Sequence, residues 1–549
     1  MTSVVILFLW LPMFIPQSFG FNALMISIGA AGHVIPMFEL AKAMKNHNVT
    51  FITEPLAQSY INFKSYSNLS SFHLILTNDS SDVFNDHKKM EKEIVEYFIN
   101  HSLFDSTSYM MPIVGASVNA LMSKAVHMLM LERFDVIIGS SLVIGLHALC
   151  KEANTSCVTQ IAEIMPNIFD INLPNSYSFL SSKQVTEFKY RIYNVAFSVR
   201  FITKYLKKWI ESFFIIFHSF PQIPGPFYET FTLKNILRKP KFLQLISVPP
   251  TLYPPSYSHH CIKYLGGFVD ESSIDYIDND FTRWIKSKAI NSIVYASFGS
   301  TGLIKFDRMK NLINGLAEFL IQTHDASALL AFRNTNYDTY QIVLNEMKND
   351  EYRRILLDDQ RVKVENGFVQ QKWILQQNSV YLYISHCGMG SSVEGLYFQK
   401  PILCLPLHTD QFANAITIDY SGVGQSLFLL PSPLQSFLNP IDFHDYIFSA
   451  SSVTIKLATM WRNSTYEKAV RIMSAEMKHA GGVRRAVEEI EFLVNLNGNL
   501  DRYAPFQSTL PFYQRYMLDL VIVYIVLPLV INVCLFFKCR NRNRKKKID

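Results

Sequence analysis

The chain has 549 residues, of which 49% are hydrophobic and only 17% are charged. This length exceeds what one hydrophobic core usually organises, so it predicts several domains. The apolar content excludes a disordered chain. The formal net charge of +6 is concentrated in the last dozen residues. Because the rest of the chain is nearly balanced in charge, a nucleic-acid-binding surface is not indicated.

Apolar segments stand at both ends of the chain. The N-terminal segment is too short to span a bilayer, and small residues precede Phe21, so residues 1–20 are predicted to be a signal peptide. Residues 516–537 contain the run LVIVYIVLPLVINVCLFF, which is long enough to cross the hydrocarbon core. The basic tail 538–549 follows at once and is expected in the cytosol. The pattern predicts a type I, single-pass membrane protein with a lumenal body.

Two further residue patterns bear on the compartment and on metals. N-glycosylation sequons lie in the predicted lumenal body, at Asn48, Asn68, Asn78, Asn100, Asn154 and Asn463. The seven cysteines show no C-x-x-C or zinc-type spacing, so they indicate neither a metal site nor a dense disulfide framework.

The first half of the chain begins with a strand–helix–strand pattern. Leu24–Ile28 is predicted to be a strand, about Pro36 to Met44 a helix, and Val49–Thr53 a second strand. That order is a βαβ unit and implies a parallel sheet. Phe134–Ile138 is a further predicted strand, and Leu142–Cys150 is the helix expected after it.

The stretch 187–217 is aromatic and basic, with helical spacing. One interpretation is a set of packed helices in the first domain. The other is a membrane-surface helix that brings apolar substrates near the site.

The second half again alternates strands and helices. Ser292–Phe298 and Ala328–Phe332 are predicted strands, and Phe306–Gln322 is a predicted helix. Proline-rich and acidic segments before them indicate a linker. The predicted boundaries are 21–250 for the first domain, 251–290 for the linker, 291–450 for the second domain and 451–515 for a C-terminal helical region. We expect two doubly wound, Rossmann-type α/β domains facing across a cleft, with ligands at the carboxyl ends of the strands.

The densest pattern in the chain follows a predicted buried strand, VYLYIS. The strand leads into His386, then into a turn that carries Gly388 and Gly390, then into a helix. Small residues there let backbone N–H groups, together with the hydroxyls of Ser391 and Ser392, approach an anion that the helix dipole also favours. A diphosphate is the expected guest.

Three polar side chains extend this predicted site. Glu394, one turn into the helix, can hold a vicinal diol such as that of ribose through its carboxylate. Asp410 and Gln411 follow the next strand and offer an acceptor and a mixed donor and acceptor, which suit sugar hydroxyls.

Together these residues form the pattern H-x-G-x-x-S-x-x-E-G followed by D-Q. It resembles the nucleotide-sugar signature of UDP-glycosyltransferases, in particular the membrane-bound UDP-glucuronosyltransferase group. Phe368 and Gln371 stand where that family has the ends of Trp-x-Pro-Gln, so the resemblance implies that Phe368 stacks on uracil. Gln370 replaces the family's proline, a departure that loosens the loop.

The resemblance extends over nearly the whole chain. Ser297, Gly299 and Ser300 match the family's phosphate-side loop, and Arg333 matches its basic position near the base. The ending 546–549, KKID, resembles the family's endoplasmic-reticulum retrieval signal. The family implies a GT-B-like fold and a body in the lumen of the endoplasmic reticulum.

His33 follows the first predicted strand, at the edge where a ligand is expected. The resemblance implies that it is the general base that takes a proton from the acceptor hydroxyl. An unperturbed imidazole pKa of about 6.5 leaves it largely neutral at lumenal pH.

The family's partner acid is replaced by Ser140. A serine cannot offset an imidazolium charge, and loss of the acid in an analogous catalytic triad costs about ten-thousand-fold in rate. Three interpretations stay open: another acid substitutes, the reaction is slower, or the protein does not catalyse. Asp135 begins its strand and is expected to face away from the cleft.

The sequence therefore predicts transfer of a hexosyl or glucuronosyl group from a UDP-sugar to the hydroxyl of a small lipophilic acceptor, with inversion. The UDP-sugar is a co-substrate, and neither a cofactor nor a metal is implied, because no carboxylate pair forms a diphosphate–metal clamp. The alternative is a catalytically silent lumenal protein that binds UDP-sugar or lipophile, or partners an active relative. The sugar, the acceptor and the oligomeric state stay open.

Overall fold

The structure, a computed structural model, describes residues 20–63, 71–78, 84–101, 103–162, 178, 180, 182–200, 203, 242–252, 260–271, 274, 276–300, 302–429, 446–504, 506 and 510–545. The predicted signal peptide apart from Gly20, the sequon at Asn68, most of 201–217 and the ending 546–549 lie outside the described residues.

The N-terminal domain is built on a parallel sheet of seven strands in the order β3-β2-β1-β4-β5-β6-β7. The strands are β1 Asn22–Ile26, β2 Asn48–Thr53, β3 Phe72–Leu76, β4 Val136–Ser140, β5 Ser156–Ile161, β6 Leu243–Ile246 and β7 Ile262–Tyr264. Central strands such as β1 and β4 are apolar almost throughout, because helices cover both faces of the sheet.

Alternate residues of β1 show how the two faces are covered. Ala23 and Met25 pack against α1, while Leu24 and Ile26 pack against α2 and α3. The helices of this domain are α1 Ala31–Ala43, α2 Leu103–Leu131 and α3 Leu146–Glu152, with shorter helical segments at Pro55–Ser59, His87–Met90, Glu91–Val95, Glu96–Asn100, Ser182–Val185 and 188–200.

The C-terminal domain is built on a second parallel sheet, of six strands in the order β10-β9-β8-β11-β12-β13. These strands are β8 Ile293–Ser297, β9 Ser327–Phe332, β10 Val362–Asn366, β11 Val380–Ser385, β12 Ile402–Cys404 and β13 Gly424–Ser426. Its helices are α4 Asp280–Lys286, α5 Phe306–Gln322, α6 Thr335–Asn345, α7 Asp350–Leu356, α8 Gln371–Gln376, α9 Met389–Tyr397, α10 Gln411–Tyr420, α11 Ala450–Met460 and α12 Ser464–His479. Strand order reverses between β1 and β4 in one sheet and between β8 and β11 in the other, which are the points where doubly wound sheets bind ligands.

The last helix of the body, α13 Gly482–Asn495, returns to the N-terminal domain. Val483, Ala486 and Ile490 belong to the same hydrophobic core as α1. At the edge of this contact, His47 Nε2 lies 2.9 Å from Glu491 Oε1. The end of the C-terminal helical region therefore packs across the first domain.

The predicted linker is wrong in part. Segment 251–290 contains β7, which extends the first sheet beyond residue 250, and α4, whose Phe281 and Ile285 enter the core of the second domain. Pro249 and Pro250 lie in the turn that follows β6. A strand of three residues such as β7 is too short for the alternation of polar and apolar residues to reveal it.

Two described helices are long and apolar enough to cross a membrane by length and composition, Pro112–Leu131 and Leu518–Lys538. The first is part of α2, and its Leu121 and Ala125 are buried against β1, so it is a core helix. The second overlaps α14 Leu527–Lys545, has a mean hydropathy of 2.9 and is not buried in the protein. It overlaps the segment predicted at 516–537. It includes the short helical segments Leu518–Val521 and Ile522–Val526 and follows the one at Phe512–Arg515.

Candidate active site

A cleft of about 880 Å³ lies between the carboxyl ends of the two sheets. Apart from Ser392, the residues predicted from the sequence to form the site line this one cleft. They are His33, Ser297, Gly299, Ser300, Arg333, Phe368, Gln371, His386, Gly388, Gly390, Ser391, Glu394, Asp410 and Gln411. The N-terminal domain contributes His33, and the C-terminal domain contributes the others.

His33 lies in the first turn of α1, because this helix begins at Ala31 rather than near Pro36 as predicted. Pro36 lies inside the helix, in its second turn, rather than at its beginning. His33 is half-buried, and its Nδ1 atom is buried. The imidazole is thus held at the carboxyl edge of β1 and reaches the cleft.

Ser140, in the position of the family's acid, ends β4 and is 1% exposed. Its hydroxyl has no hydrogen-bond partner in the described part of the chain, and it is not part of the cleft wall. Asp135 lies at the opposite end of the same strand, where its carboxylate accepts a hydrogen bond from the Asn22 N–H at 2.8 Å. Asp135 is therefore remote from the carboxyl edge, as expected.

A buried acid that sequence reasoning missed, Glu54, follows β2 at this edge. Its Oε2 atom accepts a hydrogen bond from the Gly29 N–H at 2.6 Å, in the segment that joins β1 to the helix of His33. Burial raises the pKa of Glu54 to about 7, and the Gly29 N–H and the Ser117 hydroxyl oppose that rise. The available signal was an acidic residue placed directly after an apolar strand.

His386 is packed between two glycines. A Cβ atom at Gly299 would lie 2.7 Å from His386 Cε1, and a Cβ atom at Gly388 would lie 2.5 Å from His386 Nε2. Burial, with the nearby His408, lowers the pKa of His386 to about 3. In this ligand-free cleft the ring is therefore neutral at neutral pH, and it can donate a hydrogen bond to an anion but carries no charge.

A disulfide that the cysteine spacing did not reveal lies next to His386. Cys387 is bonded to Cys404, with Cα atoms 5.5 Å apart, and joins the end of β11 to the end of β12. Cys387 has a φ of +60°, an uncommon conformation for a residue other than glycine. A second disulfide joins Cys150, on α3, to Cys157, near the start of β5.

Helix α9 presents its N-terminus to the cleft, and its N-cap residue Gly388 has no side chain to satisfy the first N–H groups. Ser391 lines the cleft. Ser392 does not: it is fully buried, and its hydroxyl donates to the Gly388 carbonyl at 3.1 Å. The prediction that both hydroxyls face an anion is therefore wrong for Ser392 and stays a prediction for Ser391.

Gln371 and Glu394 form a hydrogen-bonded pair on the cleft wall. The Gln371 amide donates to Glu394 at 2.7 Å and lies 3.3 Å from the Ser391 hydroxyl. The Tyr383 hydroxyl donates to the Gln371 amide oxygen at 3.0 Å and fixes its orientation. These bonds hold an acceptor carboxylate at the predicted ribose position.

Phe368 and Arg333 lie together at one end of the cleft. Phe368 is 51% exposed although it is a large apolar side chain. The Arg333 guanidinium is 5.8 Å from its ring centre and 5.9 Å from that of Tyr60. Among the described residues, Arg333 Nη1 has no hydrogen-bond partner. An exposed ring beside a half-buried cation can stack on a planar base.

Asp410 and Gln411 are neighbours in sequence but have different hydrogen-bond partners. The Gln411 amide oxygen accepts hydrogen bonds from the N–H groups of Leu407 at 2.8 Å and His408 at 3.1 Å, so it braces the loop before α10. The Asp410 carboxylate accepts from the Asn414 amide at 2.7 Å. The direct contact of Gln411 with a sugar remains a prediction.

Within the described residues, no group of three or more His, Cys, Asp or Glu side chains is arranged to hold a metal ion.

The sequence matches the family described as "UDP-glucoronosyl and UDP-glucosyl transferase" over residues 47–549. A flavanone 7-O-glucoside 2''-O-beta-L-rhamnosyltransferase of Citrus maxima is 28% identical over 31% of this chain and 36% of the relative. UDP-glycosyltransferase 79A2 of Stevia rebaudiana is 32% identical over 28% of this chain and 32% of the relative. The chain thus spans about a third of the length of these curated relatives.

The fold is similar to that of solved glycosyltransferases. The crystal structure of Arabidopsis thaliana UGT89C1 complexed with UDP superposes with a TM-score of 0.55 at 15% identity, over 87% of this chain and 100% of that chain. This likeness confirms the predicted GT-B fold of two facing parallel sheets. The sequence match over residues 47–549 covers most of the chain and shows its family as well as its fold. The chain belongs to the UDP-glucoronosyl and UDP-glucosyl transferase family.

Proposed function

We propose that this protein transfers the sugar of a UDP-sugar to the hydroxyl of a small lipophilic acceptor. The observation that carries this proposal is that one cleft is lined both by His33, from the N-terminal domain, and by the complete set of predicted donor residues, from the other domain.

The donor half of the cleft fits a uridine diphosphate. Phe368 offers its exposed ring to uracil, and Glu394 offers its carboxylate to the ribose diol. The N-terminus of α9, the Ser391 hydroxyl and the neutral ring of His386 offer hydrogen-bond donors to the diphosphate. The names of the relatives, which are glycosyltransferases, agree with such a donor.

The reaction is an in-line displacement. The acceptor oxygen forms a bond to the anomeric carbon as the bond from that carbon to the diphosphate oxygen breaks, and the configuration inverts. His33 takes the proton of the acceptor hydroxyl, and UDP leaves with the electron pair of the broken bond.

A neutral hexose is favoured over glucuronate as the sugar. The cations on the described cleft wall are Lys42, Arg333 and Lys372. Both lysines contact Glu39, and Arg333 lies beside the ring of Phe368, at the base end. A uronate carboxylate would therefore have to displace an existing ion pair.

The compartment proposed is the lumen of the endoplasmic reticulum, with Leu518–Lys538 as the membrane anchor. The length and hydropathy of this helix support an anchor. Disulfides persist mainly in oxidising compartments, so Cys387–Cys404 and Cys150–Cys157 support a lumenal body.

The second candidate is a binding protein that does not catalyse, and the buried hydroxyl of Ser140 favours it. Membranes containing the full chain, supplied with labelled UDP-glucose or UDP-glucuronate and a mixed pool of phenols and steroids, separate the two candidates. Product from UDP-glucose that is absent with His33→Ala supports the transferase. Intact UDP binding without product from either donor would support the binding protein.

Ser140→Asp sharpens this comparison, because it restores a carboxylate at the position of the missing acid. A transferase limited by its missing acid should gain about tenfold or more in kcat. Ser140→Asn introduces a side chain of nearly the same size as aspartate but without its charge. It is the matched control and should not show that gain.

A further inference from the structure

An ion pair joins the two domains across the cleft. Glu39, on α1, is in contact with the ammonium group of Lys372, on α8. Both side chains are largely buried, at 6% and 18% exposure, and both line the cleft. Neither was singled out from the sequence. A buried pair of this kind is costly to form from two hydrated ions, so its presence in the cleft wall calls for a function.

Lys372 lies between two carboxylates. Glu39 contacts it from the N-terminal domain, and Glu394 acts on it from α9. Burial alone would lower the pKa of Lys372, but Glu39 and Glu394, with a smaller contribution from Asp270, raise it above the ordinary value. Lys372 is therefore an ammonium ion at neutral pH. Lys42, also on α1, is the second partner of Glu39, at 2.9 Å.

Glu394 depends on that ammonium ion. Burial raises the pKa of Glu394, and Lys372 and the Gln371 amide are the groups that oppose the rise. The other titratable groups that face Glu394 are Glu39, from α1, and the buried hydroxyls of Tyr295 and Tyr383, from the sheet. Gln371, the residue next to Lys372, donates a hydrogen bond to Glu394 at 2.7 Å, so Lys372 is the cation of the cleft wall that lies beside this carboxylate.

We propose that Lys372 is a positioning residue for the donor: its ammonium group supports the Glu394 carboxylate that would hold the ribose diol, and through Glu39 it ties the donor site to the helix that carries His33. The inference rests on the proposed function, because it assumes a uridine diphosphate in this cleft. His33 and Glu39 are on the same helix, so an ion pair at Glu39 fixes the position of the base relative to the donor.

Removal of Lys372 should make the affinity of the protein for UDP depend more strongly on pH. Without Lys372, the pKa of Glu394 rises further, and the carboxyl group is protonated at a higher pH. A protonated Glu394 loses one acceptor for the ribose diol. The affinity of a Lys372→Met variant for UDP should therefore be weakest at low pH and should approach the wild-type affinity as the pH rises.

The test measures the Kd of UDP and of 2′,3′-dideoxyuridine diphosphate for the full chain in detergent micelles between pH 5.5 and 8.5. Lys372→Met should weaken UDP binding by about tenfold at the acid end, a loss expected for a charge-assisted hydrogen bond. The dideoxy analogue has no diol, so its Kd should be nearly equal for the wild type and the Lys372→Met variant. The ratio of the two Kd values cancels the titration of the diphosphate itself.

Two variants control for folding. Lys372→Arg keeps the charge and should restore the wild-type pH profile. Lys348→Met removes an exposed lysine outside the cleft and should leave both Kd values unchanged. Equal losses for UDP and for the dideoxy analogue in Lys372→Met would overturn the inference, because they would show a general loss of charge or of structure. Wild-type protein that does not bind UDP at all would instead overturn the proposed function, and this inference with it.

Glu39→Gln tests the link to the base. Lys372 then pairs with Glu394 alone, so the Kd of UDP should stay within about twofold of the wild-type value, while kcat falls by about tenfold because α1 is no longer fixed to the donor domain. An unchanged kcat would contradict this part of the inference.

Discussion

Cys387, the residue that directly follows His386, is joined by a disulfide to Cys404 on the neighbouring strand. The bond crosses between β11 and β12 at their carboxyl ends and lies beneath the proposed diphosphate site. Both cysteines are fully buried, so the bond belongs to the core that supports the cleft floor.

Loss of this disulfide should destabilise the protein and weaken the donor site. Replacing both Cys387 and Cys404 with alanine should lower the free energy of unfolding by about 2–4 kcal/mol, as is typical of a native disulfide. It should also increase the Kd of UDP, because the bond fixes the turn that carries His386. Calorimetry and UDP titration check both effects. The same change at Cys150 and Cys157, in the N-terminal domain, is the control and should leave the Kd of UDP unchanged.

The glycines that enclose His386 should not accept a side chain. Gly299→Ala and Gly388→Ala place a methyl group less than 3 Å from the imidazole, and each should cost about 1–3 kcal/mol through overpacking. Gly299 also has a φ of +66°, which adds strain for alanine. Gly390→Ala, which meets no atom within 4 Å, should leave the Tm unchanged. Equal Tm values for all three variants would mean that His386 has room to move.

Glu54 should make the stability of the protein depend on pH. Its pKa is raised by burial from 4.5 to about 7, so the folded protein binds more protons than the unfolded chain between these values. Stability should therefore fall as the pH rises from about 4.5 to 7, by about 3 kcal/mol in total, and then level off.

Glu54→Gln keeps an acceptor for the Gly29 N–H and cannot ionise. This variant should show a flatter dependence of unfolding free energy on pH and should exceed the wild type in stability at pH 8. A wild-type protein that gains stability between pH 5 and 7, with the variant unaffected, would contradict a raised pKa at Glu54.

Ile490 tests the contact of the last body helix with the first domain. It is fully buried in the core shared by α13 and α1, so Ile490→Ala should cost about 2–5 kcal/mol. Ile472, on α12, is 61% exposed, and its replacement by alanine should change the unfolding free energy by less than about 0.5 kcal/mol. Similar Tm values for the two variants would show that α13 is not part of that core.

The order of strands and helices was predictable, because buried parallel strands are continuous apolar runs. β11 coincides with the predicted run VYLYIS, and α5 has the predicted bounds Phe306–Gln322. Short elements were not predictable, since the three residues of β7 contain no period to detect. The start of α1 was not predictable from the position of Pro36, because a proline can lie in the second turn of a helix as well as at its beginning.

The donor residues from His386 to Gln411 share one stretch of sequence, so their spacing pointed to one site before the structure placed them there. The missed residues gave no such signal. Glu39 and Lys372 are 333 positions apart in sequence, and only the closure of one domain over the other brings them together. The disulfide at Cys387 was missed for a related reason, since it connects neighbouring strands that are separated by a helix.

The return of α13 to the first domain makes the C-terminal domain, in topological terms, an insertion within the N-terminal one. A fragment that ends after α12 would leave the apolar surface of α1 uncovered, and an isolated second domain would carry a helix that has lost its contact surface. The natural division of this protein is therefore a discontinuous one: residues up to about 271 together with 482–495 form one unit, and the intervening chain forms the other. Independent production of the two halves would require α13 to be joined to the first segment by a designed connection.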